Sequence, residues 1–457
     1  MRPVLVPIYD GSISKALVDS GALKPLIEAG YPVVLIVEER KIKYYQDRFG
    51  SQGYRVIPHP VIPRPDWLVR LQIIGIGAIP THMMLLRHLR RMMERKKYVL
   101  GFLRLCVWAL GHFFPIRWVL QHLVILHPIP QSVRDLVDAD PQALIFCPTL
   151  LTIEEIDLVR YGKKKGIPVI GMVKTWDNVT TKLSWSVSPD HLIVHTNLVR
   201  DEAVRYFHYP RSKISVVGLP QFDRYRDPAL LESREAFFQR MKLQPNVPLL
   251  LYCAAGLWMS PDEPEILTHL NEDIERGVFG PLQVLVRMHP KYDCGAEHLK
   301  HQKHLILDRP GTYVVGDLAS WEYEDRDLMH LMSSLRHATV TSNTASTMSV
   351  EAAYFDKPII NVGFDPKPTS WIMSNARYYE REHYRPIVSS GGVRVAHSYE
   401  EFVNDLKKYL AHPEMDHEGR ERIIREQCID RKPIAAKSLG DVLLGYLRGD
   451  RSPATRV

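Results

Sequence analysis

The 457-residue sequence has little cysteine, and the five cysteines are scattered along it: Cys106, Cys147, Cys253, Cys294 and Cys428. None forms a Cys-x-x-Cys pair or stands near histidine at metal-ligand spacing, which argues against a disulfide framework or a zinc site. Scattered thiols are typical of a reducing compartment. No DxD-type metal motif is evident at the end of a predicted strand either, so we expect no obligatory metal ion, and we expect no cofactor.

The sequence also lacks a long uninterrupted apolar run. The nearest stretch, residues 71–86, is broken by Pro80, Thr81 and His82, so no membrane-spanning helix is predicted. The apolar run at the N-terminus is too short for a signal peptide and indicates a first strand instead. We expect a protein on the cytoplasmic side of the membrane.

Acidic residues are scarce in one region. Residues 40–127 hold 15 Lys/Arg against 3 Asp/Glu, although the whole chain has a net charge of +7. Within this region, aromatic and aliphatic residues alternate with arginine. Basic amphipathic helices with boundary aromatics are attracted to anionic bilayers. Residues 60–127 therefore predict a contact with the inner face of the plasma membrane.

The alternative for this region is a pair of long helices, each with an apolar side in the core and a basic side in water. A nucleic-acid partner is not expected, because no known binding motif accompanies the positive charge.

The remaining chain alternates between short apolar runs and helical patterns. Val4–Ile8, a helix over 15–28 and Tyr31–Val37 predict a β–α–β unit. The alternation continues to about residue 220, and a second series starts at Pro248–Cys253. Such alternation is typical of a doubly wound parallel sheet, and the chain length favours two domains.

The polar turn within Thr339–Phe364 is the strongest local signal. A strand leads into Thr341-Ser342-Asn343-Thr344-Ala345-Ser346-Thr347, followed by a predicted helix over Met348–Phe355 and a strand over Ile359–Val362. Backbone N–H groups and hydroxyls at a strand-to-helix turn are suited to a phosphate. The turn therefore predicts a diphosphate site.

Several motifs resemble bacterial surface-polymer transferases of the GT-B glycosyltransferase superfamily. This group includes capsule glycosyltransferases and CDP-glycerol glycerophosphotransferases. The Arg287-Met288-His289-Pro290 segment resembles their strand-end Arg-x-His-Pro signature. The 341–347 turn with Glu351 resembles their donor-phosphate turn, and Lys174–Asn178 and Val216–Asp223 resemble their inter-strand and hinge sequences.

The resemblance implies an α/β fold of the GT-B type, in which two Rossmann-like doubly wound domains face each other across a cleft. Residues 1–220 would form the acceptor domain, with the membrane-facing insertion at about 60–127. Residues 221–430 would form the nucleotide-sugar donor domain, and 431–457 a closing helix and tail.

The resemblance places the donor in the second domain. Arg287 and His289 would supply hydrogen bonds and positive charge to the diphosphate, and Glu351 would accept the ribose hydroxyls. Gly256 would allow a close backbone approach. The turn residues that would contact the donor are Ser342, Asn343, Thr344, Ser346 and Thr347.

The first domain would bind the acceptor and activate its hydroxyl. If the reaction inverts the anomeric centre, Asp177 is the first candidate for the general base and Asp10 the second, with His289 as a further catalytic residue. Lys174, Trp176 and Asn178 would bind the acceptor. For the 174–178 segment, the alternative is a polar turn around a core tryptophan.

These features predict a metal-independent glycosyltransferase that moves a sugar from a nucleotide-sugar donor to a lipid-linked or polysaccharide acceptor in surface glycan synthesis. Glycerol- or ribitol-phosphate polymer transfer is one alternative. Those enzymes often have Ser-Asp where this chain has Ser342-Asn343, which favours a nucleotide sugar. An enzyme like UDP-GlcNAc 2-epimerase is the other alternative.

Overall fold

The computed structural model describes residues 1–59, 64–184, 186–314, 321–429, 431–432 and 434–450. The chain divides into two compact units. Unit 1 comprises Met1–Arg224 and Cys428–Val457, and unit 2 comprises Tyr225–Gln427. Of the predicted segments, residues 60–63 of the insertion, Asp430 and residues 451–457 of the tail lie outside the described residues.

Unit 1 is built on a seven-stranded parallel sheet in the order β3-β2-β1-β4-β5-β6-β7. Its strands are β1 Val4–Ile8, β2 Val33–Glu38, β3 Tyr54–His59, β4 Leu144–Cys147, β5 Val169–Met172, β6 His191–Val194 and β7 Ile214–Val216. The order reverses between β1 and β4, as in a doubly wound fold.

Twelve α-helices of unit 1 precede unit 2 in the described chain. They are α1 Gly11–Ser14, α2 Lys24–Glu28, α3 Ile42–Phe49, α4 Asp66–Gly77, α5 His82–Arg95, α6 Tyr98–Leu110, α7 Phe114–His122, α8 Gln131–Asp138, α9 Ile153–Lys164, α10 Asn178–Thr181, α11 Asn197–Phe207 and α12 Pro220–Asp223. A π-helical turn, Lys15–Asp19, follows α1, and a 3-10 turn, Leu123–Leu126, follows α7.

The sheet of unit 1 is covered on both faces. Val4, Val6 and Ile8 of β1 belong to one apolar cluster, whereas Leu5 of the same strand belongs to another. Because alternate side chains point to opposite faces, a strand buried on both sides reads as a continuous apolar run. This explains why β1 was predictable from sequence.

Unit 2 is built on a six-stranded parallel sheet in the order β10-β9-β8-β13-β14-β15, beside a two-stranded antiparallel pair, β11 and β12. Its strands are β8 Leu249–Cys253, β9 Gln283–Arg287, β10 Leu305–Asp308, β11 Thr312–Tyr313, β12 Trp321–Glu322, β13 Val340–Asn343, β14 Ile359–Val362 and β15 Arg394–Ala396. The order reverses between β8 and β13.

Eight α-helices pack around the strands of unit 2 in its described part, and one more follows them. They are α13 Arg234–Arg240, α14 Glu263–Glu275, α15 Ala296–Leu299, α16 Asp325–His337, α17 Met348–Tyr354, α18 Arg385–Ser389, α19 Tyr399–Ala411 and α20 His417–Gln427, with α21 Ala435–Leu447 in unit 1.

Helix α21 completes the core of unit 1. Leu439 and Leu443 are fully buried in the cluster that includes β1. The Asp223 carboxylate accepts a hydrogen bond from the Ala436 N–H at 2.7 Å. A Cβ at Gly440 would lie 2.7 Å from Cγ of Pro25, so glycine lets α21 approach α2 closely.

Candidate functional site

The strand ends of unit 2 form one aligned row. Asp308 pairs with Arg287, Arg287 with Cys253, Cys253 with Asn343, and Asn343 with Asn361 in the register of the sheet. Ligands of doubly wound folds bind at the carboxyl edge of the strands, where the strand order reverses. In unit 2 that point lies between β8 and β13, and the loop containing Gly256 and the 341–347 turn both start there.

Glu263 holds the loop that follows β8. Its buried carboxylate accepts hydrogen bonds from the Ala255 N–H at 3.0 Å, the Gly256 N–H at 3.3 Å and the Tyr252 hydroxyl at 3.3 Å. Burial raises the pKa of Glu263 to about 7, against the lowering effect of these donors. Its function here was not predicted, although an acidic residue in the first turn of a helix after a glycine loop is a recognisable signal.

Gly256 has a φ of +89°, which favours glycine. A Cβ there would lie 2.9 Å from Cβ of Tyr292 and 3.2 Å from the carbonyl oxygen of Asp293. The neighbouring Leu257 N–H donates to the same carbonyl at 2.8 Å. The glycine thus lets the loop after β8 pack on the segment that follows His289. Its predicted donor contact stays a prediction.

Asn343 organises the turn after β13. Its Oδ1 accepts from the Ser346 N–H at 3.0 Å and from Asn361 Nδ2 at 3.2 Å, and its Nδ2 donates to Ser349 Oγ at 3.1 Å. The Tyr384 hydroxyl joins the network at 2.8 Å from Ser349 Oγ. All these side chains are buried except Ser346, which contributes its backbone. Asn343 therefore shapes the turn from within.

The remaining turn residues differ in exposure. Thr347 is exposed and Ser346 half-buried. The Ser342 and Thr344 hydroxyls are buried and have no hydrogen-bond partner within the described part of the chain. Ser346 and Thr347 are thus the predicted donor contacts of this turn that a ligand reaches from solvent.

Arg287 is part of an internal charge network. Its guanidinium lies 3.3 Å from Asp308 Oδ2, which also accepts a hydrogen bond from His330 Nε2 at 2.7 Å. Burial would raise the pKa of Asp308, but His330 and Arg287 outweigh this effect and lower it. The pair keeps the Arg287 guanidinium at the strand end, with 8% of its side chain exposed. No sequence pattern pointed to Asp308 or His330.

His289 is held as a neutral imidazole. Burial, together with the nearby charges of Lys291 and Arg309, lowers the pKa of His289 to about 4. Its Nδ1 accepts a hydrogen bond from the Lys291 N–H at 3.0 Å, which leaves Nε2 to carry the proton. At neutral pH His289 therefore offers a hydrogen-bond donor, and the local positive charge belongs to Lys291 and Arg309.

Glu351 lies half-buried on α17, near two buried tyrosines. Burial, and then the Glu351 carboxylate, raises the pKa of Tyr225. Burial also raises the pKa of Tyr323, on which Arg287 and Glu351 act in opposite directions. Arg287 and Glu351 thus act on the same two hydroxyls. Neither tyrosine carries a local sequence signal, because only the fold brings them here.

In unit 1, Asp10 and Lys174 meet at the reversal between β1 and β4. Lys174 Nζ lies 3.2 Å from Asp10 Oδ2. The other carboxylate oxygen of Asp10 accepts from the Ser12 N–H at 2.8 Å and caps α1. The structure therefore brings together a predicted base and a predicted acceptor residue, and also shows the capping role of Asp10.

Asp177 is surrounded by donors. Its carboxylate accepts from Lys182 Nζ at 2.8 Å, from Thr175 Oγ1 at 2.6 Å and from Asn178 Nδ2 at 3.1 Å. Donors of this kind stabilise the charged form of a carboxylate. Asn178 is buried, and Trp176 packs against the apolar core of unit 1. Their predicted acceptor contacts, and the role of Asp177 as a base, stay predictions.

Glu155 repeats in unit 1 the arrangement of Glu263 in unit 2. Its buried carboxylate accepts from the Thr149 N–H at 3.1 Å and the Thr149 hydroxyl at 2.8 Å, and also from the Leu150 N–H. Burial raises the pKa of Glu155 to about 7. A buried glutamate therefore fixes the loop at the order reversal of each sheet.

The insertion between β3 and β4 exposes a large apolar surface, here called the insertion surface. Its exposed residues are Trp67, Val69, Ile73, Tyr98, Val99, Leu100, Phe102, Leu103, Leu110, Phe113, Trp118, Val119 and Leu126. Extended apolar patches on a protein surface mark interaction sites.

Among the described residues, no single helix meets the length and hydropathy expected of a membrane span. Helix Tyr98–Leu110 and the following Phe114–Leu126 meet that requirement only together, and they are bent by 119° relative to each other.

The chain is similar to solved structures of two enzyme classes. It resembles the UDP-GlcNAc 2-epimerase from Neisseria meningitidis bound to UDP-GlcNAc, with a TM-score of 0.57 and 10% identity, covering 98% of this chain and 100% of that one. The UDP-N-acetylglucosamine 2-epimerase from Rickettsia bellii gives 0.53 and 12%, covering 98% of both chains.

A glycosyltransferase from Rickettsia africae gives a TM-score of 0.51 and 10% identity, covering 98% of this chain and 99% of that one. The sequence matches no protein-family model and no curated protein. At these identities the likeness concerns the fold. With its two parallel, doubly wound sheets, the chain has the GT-B fold that epimerases and glycosyltransferases share.

Proposed function

We propose that this protein is a glycosyltransferase that moves a sugar from a nucleotide-sugar donor to a lipid-linked or polysaccharide acceptor during surface glycan synthesis. The observation that carries the proposal is the insertion surface. Tyr98, Val99 and Phe102 are 63%, 77% and 64% exposed there, beside the basic residues of α5. An extended apolar surface beside basic residues suits contact with a membrane, where a lipid-linked acceptor would be found.

The donor would bind at the order reversal of unit 2. Arg287, the Nε2–H of His289 and the turn at Ser346 and Thr347 offer donors for a diphosphate, which gains negative charge as the sugar leaves. Glu351 offers a carboxylate for the ribose hydroxyls. The Neisseria epimerase of similar fold is bound to UDP-GlcNAc, which supports a nucleotide sugar as the ligand class.

The acceptor would meet unit 1. If the transfer inverts the anomeric centre, a general base such as Asp or His would take the proton of the attacking hydroxyl. Asp177 and Asp10 remain the two candidates. Each has a lysine beside it, Lys182 Nζ at 2.8 Å and Lys174 Nζ at 3.2 Å, which fixes the position of the carboxylate.

The insertion surface would place the enzyme on the cytoplasmic face of the plasma membrane. Apolar side chains would enter the lipid, and the arginines and lysines of α5 would contact anionic headgroups. The bent pair of helices, α6 and the segment from α7 to Leu126, suits a protein that lies in one leaflet.

Epimerisation of a sugar nucleotide is the second candidate. It is favoured by the likeness to UDP-GlcNAc 2-epimerases over nearly the whole chain. This reaction needs neither a lipid nor an acceptor molecule with a reacting hydroxyl group.

One incubation separates the two candidates. The protein is given UDP-GlcNAc with and without a total lipid extract of bacterial membranes, and UDP and the C2 epimer are measured by chromatography. We expect UDP release that depends on the extract. Epimer formed without the extract would support the second candidate. If neither UDP nor epimer forms, the incubation is repeated with other UDP-linked sugars and with GDP- and CMP-linked sugars, and a lack of product from all of them would contradict both candidates. Heat-denatured protein is the control.

A further inference from the structure

A cavity of about 520 Å³ opens among helices α4, α5 and α6 of unit 1. Its volume lies within the roughly 300–1,000 Å³ that is usual for small-molecule pockets. It belongs to the insertion and is lined only by residues of these three helices. It is therefore separate from the strand-end residues described above.

The walls of the cavity are apolar. Ile73, Ile74, Leu100, Leu103 and Val107 line it. Three of these side chains, Ile73, Leu100 and Leu103, are also 45%, 42% and 54% exposed and belong to the insertion surface. The cavity is thus continuous with the apolar surface, and a hydrocarbon chain could enter it from that side.

The same cavity carries four arginines and no acidic residue in its lining: Arg70, Arg87, Arg91 and Arg104. None of the four forms an ion pair within the described part of the chain. Burial, and then the charges of Arg91 and Arg104, lowers the pKa of Arg87 to about 10. Glu94, whose charge acts on Arg91, is paired with Arg90.

Three of these guanidiniums come from two facing helices. Arg87 and Arg91 are one helical turn apart on α5, and like charges at this spacing repel each other. Arg104 on α6 adds to this repulsion at both. Such a cluster is stabilised when an anion with several oxygens binds it, since guanidinium groups pair bidentately with phosphate.

The frame around the cavity is tightly packed. A Cβ at Gly77 would lie 3.2 Å from the His88 ring, and His88 Nε2 lies 3.1 Å from the Gly77 carbonyl oxygen. A Cβ at Gly101 would lie 2.3 Å from Cγ of Met92, so α5 and α6 touch closely near their connection. The helices that form its walls are therefore held together by close contacts.

We propose that this cavity binds one lipid molecule with a phosphate headgroup, its hydrocarbon tail against Ile73, Leu103 and Val107 and its phosphate on Arg87, Arg91 and Arg104. The arginines favour an anionic group, and the apolar walls favour a hydrocarbon tail. That this lipid phosphate is the sugar acceptor rests on the function proposed above. That the cavity binds such a lipid rests on the cavity alone.

Decyl phosphate, used below its micellar concentration, is a suitable probe because it has one tail and one phosphate. Its affinity for the full-length protein is measured by isothermal titration, beside decyl glucoside and inorganic phosphate. We expect the two partial ligands to bind at least tenfold more weakly than decyl phosphate. Inorganic phosphate binding as tightly as decyl phosphate would overturn the proposal, as would equal binding of decyl glucoside.

The matched variants are R91Q/R104Q in the cavity and R95Q/K97Q outside it. Both remove two positive charges from α5, α6 and their connection, and none of the four side chains has a hydrogen bond or ion pair in the described structure. We expect the first variant to weaken decyl phosphate binding at least tenfold and the second less than twofold. Equal losses would mean general charge attraction and would overturn the site.

The two proposals fail separately. Decyl phosphate binding is measured without any nucleotide sugar, so an enzyme that proves to be an epimerase can still bind the lipid phosphate. Conversely, extract-dependent UDP release that persists in R91Q/R104Q, with decyl phosphate binding lost, would show that the acceptor does not use this cavity.

Discussion

Glu155 and Glu263 show how a single buried carboxylate fixes the loop at the order reversal of a sheet. Each accepts backbone N–H donors from the loop at the order reversal of its own sheet. Several hydrogen bonds to the charged form offset only part of the cost of burying each carboxylate, because burial still raises the pKa of both to about 7.

At the donor site, Glu351 offers the sharpest test of a single residue. Glu351→Gln keeps the shape of the side chain but removes its charge. We expect UDP binding at least tenfold weaker, or about 1.4 kcal/mol, because a neutral amide accepts ribose hydroxyls less well than a carboxylate. Isothermal titration with UDP gives the affinity.

The control for this exchange is Glu297→Gln, which removes an exposed carboxylate of α15 in the same unit. It should leave UDP affinity within a factor of two. Circular dichroism melting verifies that both variants are folded. Unchanged affinity in a folded Glu351→Gln protein would move the ribose contact away from α17.

Residues with a local pattern were predictable, and residues gathered by the fold were not. Arg287, His289 and the 341–347 turn follow strands directly, so their place at the sheet edge can be inferred from sequence. Tyr225 has no such signal, because it arrives from a connecting segment. Asp308 ends β10 as Arg287 ends β9, but its pairing with Arg287 depends on the order of the strands in the sheet. The charge state of His289 also depends on burial, which no short motif encodes.

At the scale of elements, the buried strands were the most predictable. The predicted bounds of Val4–Ile8 and Ile359–Val362 agree with the structure, because strands covered on both faces give continuous apolar runs. The predicted helix after the polar turn differs by one residue, Met348–Tyr354 in the structure. The bounds of the helices between residues 60 and 127 could not be predicted, because apolar residues occur there on several faces.

Gly111 fixes the arrangement of these helices. It ends α6 with an ordinary helical φ of −63°, yet a Cβ there would lie 1.8 Å from the carbonyl oxygen of Ala78, at the end of α4. Gly111→Ala should therefore force the two helix ends apart. We expect a loss of about 1–3 kcal/mol in the free energy of unfolding, as for other overpacked contacts, measured by urea titration.

Gly50→Ala is the matched control for this prediction. Gly50 also has a helical φ, −58°, and a Cβ there would meet nothing within 4 Å. Its replacement should be neutral or slightly stabilising, because alanine lowers the entropy of the unfolded chain. If both exchanges change stability equally, close packing of α4 against α6 is not what holds the insertion together.

For the whole molecule, the two parallel sheets were predictable from the alternation of strands and helices, since each unit repeats the same short pattern. The return of α21 to unit 1 was not part of the predicted first domain of residues 1–220. The apolar face of α21 can be recognised in the sequence, but the sequence does not predict which of the two similar units this face packs against. In the structure, Leu439 and Leu443 pack into the core of unit 1, Gly440 lets α21 approach α2, and Asp223 accepts from the Ala436 N–H.

The membrane association proposed for the insertion surface can be measured directly. Val99 and Phe102 are its most exposed side chains on α6, and both become buried if α6 enters a bilayer. Each contributes about 1.5 kcal/mol or more on burial. V99S/F102S should therefore lower partitioning onto vesicles about a hundredfold or more, as measured by co-sedimentation with phosphatidylglycerol-containing vesicles at 0.15 M salt.

A charge contribution is separable from this apolar one by salt and lipid composition. K96Q/K97Q should weaken binding only to anionic vesicles, and the difference from the wild type should vanish at 1 M salt, where the Debye length is about 3 Å. V99S/F102S should weaken binding to anionic and neutral vesicles alike. Trp371→Ser removes an aromatic side chain of unit 2 that is 47% exposed and serves as the control. If it releases the protein as fully as V99S/F102S does, the membrane contact is not confined to the insertion, and the surface of α6 needs another partner.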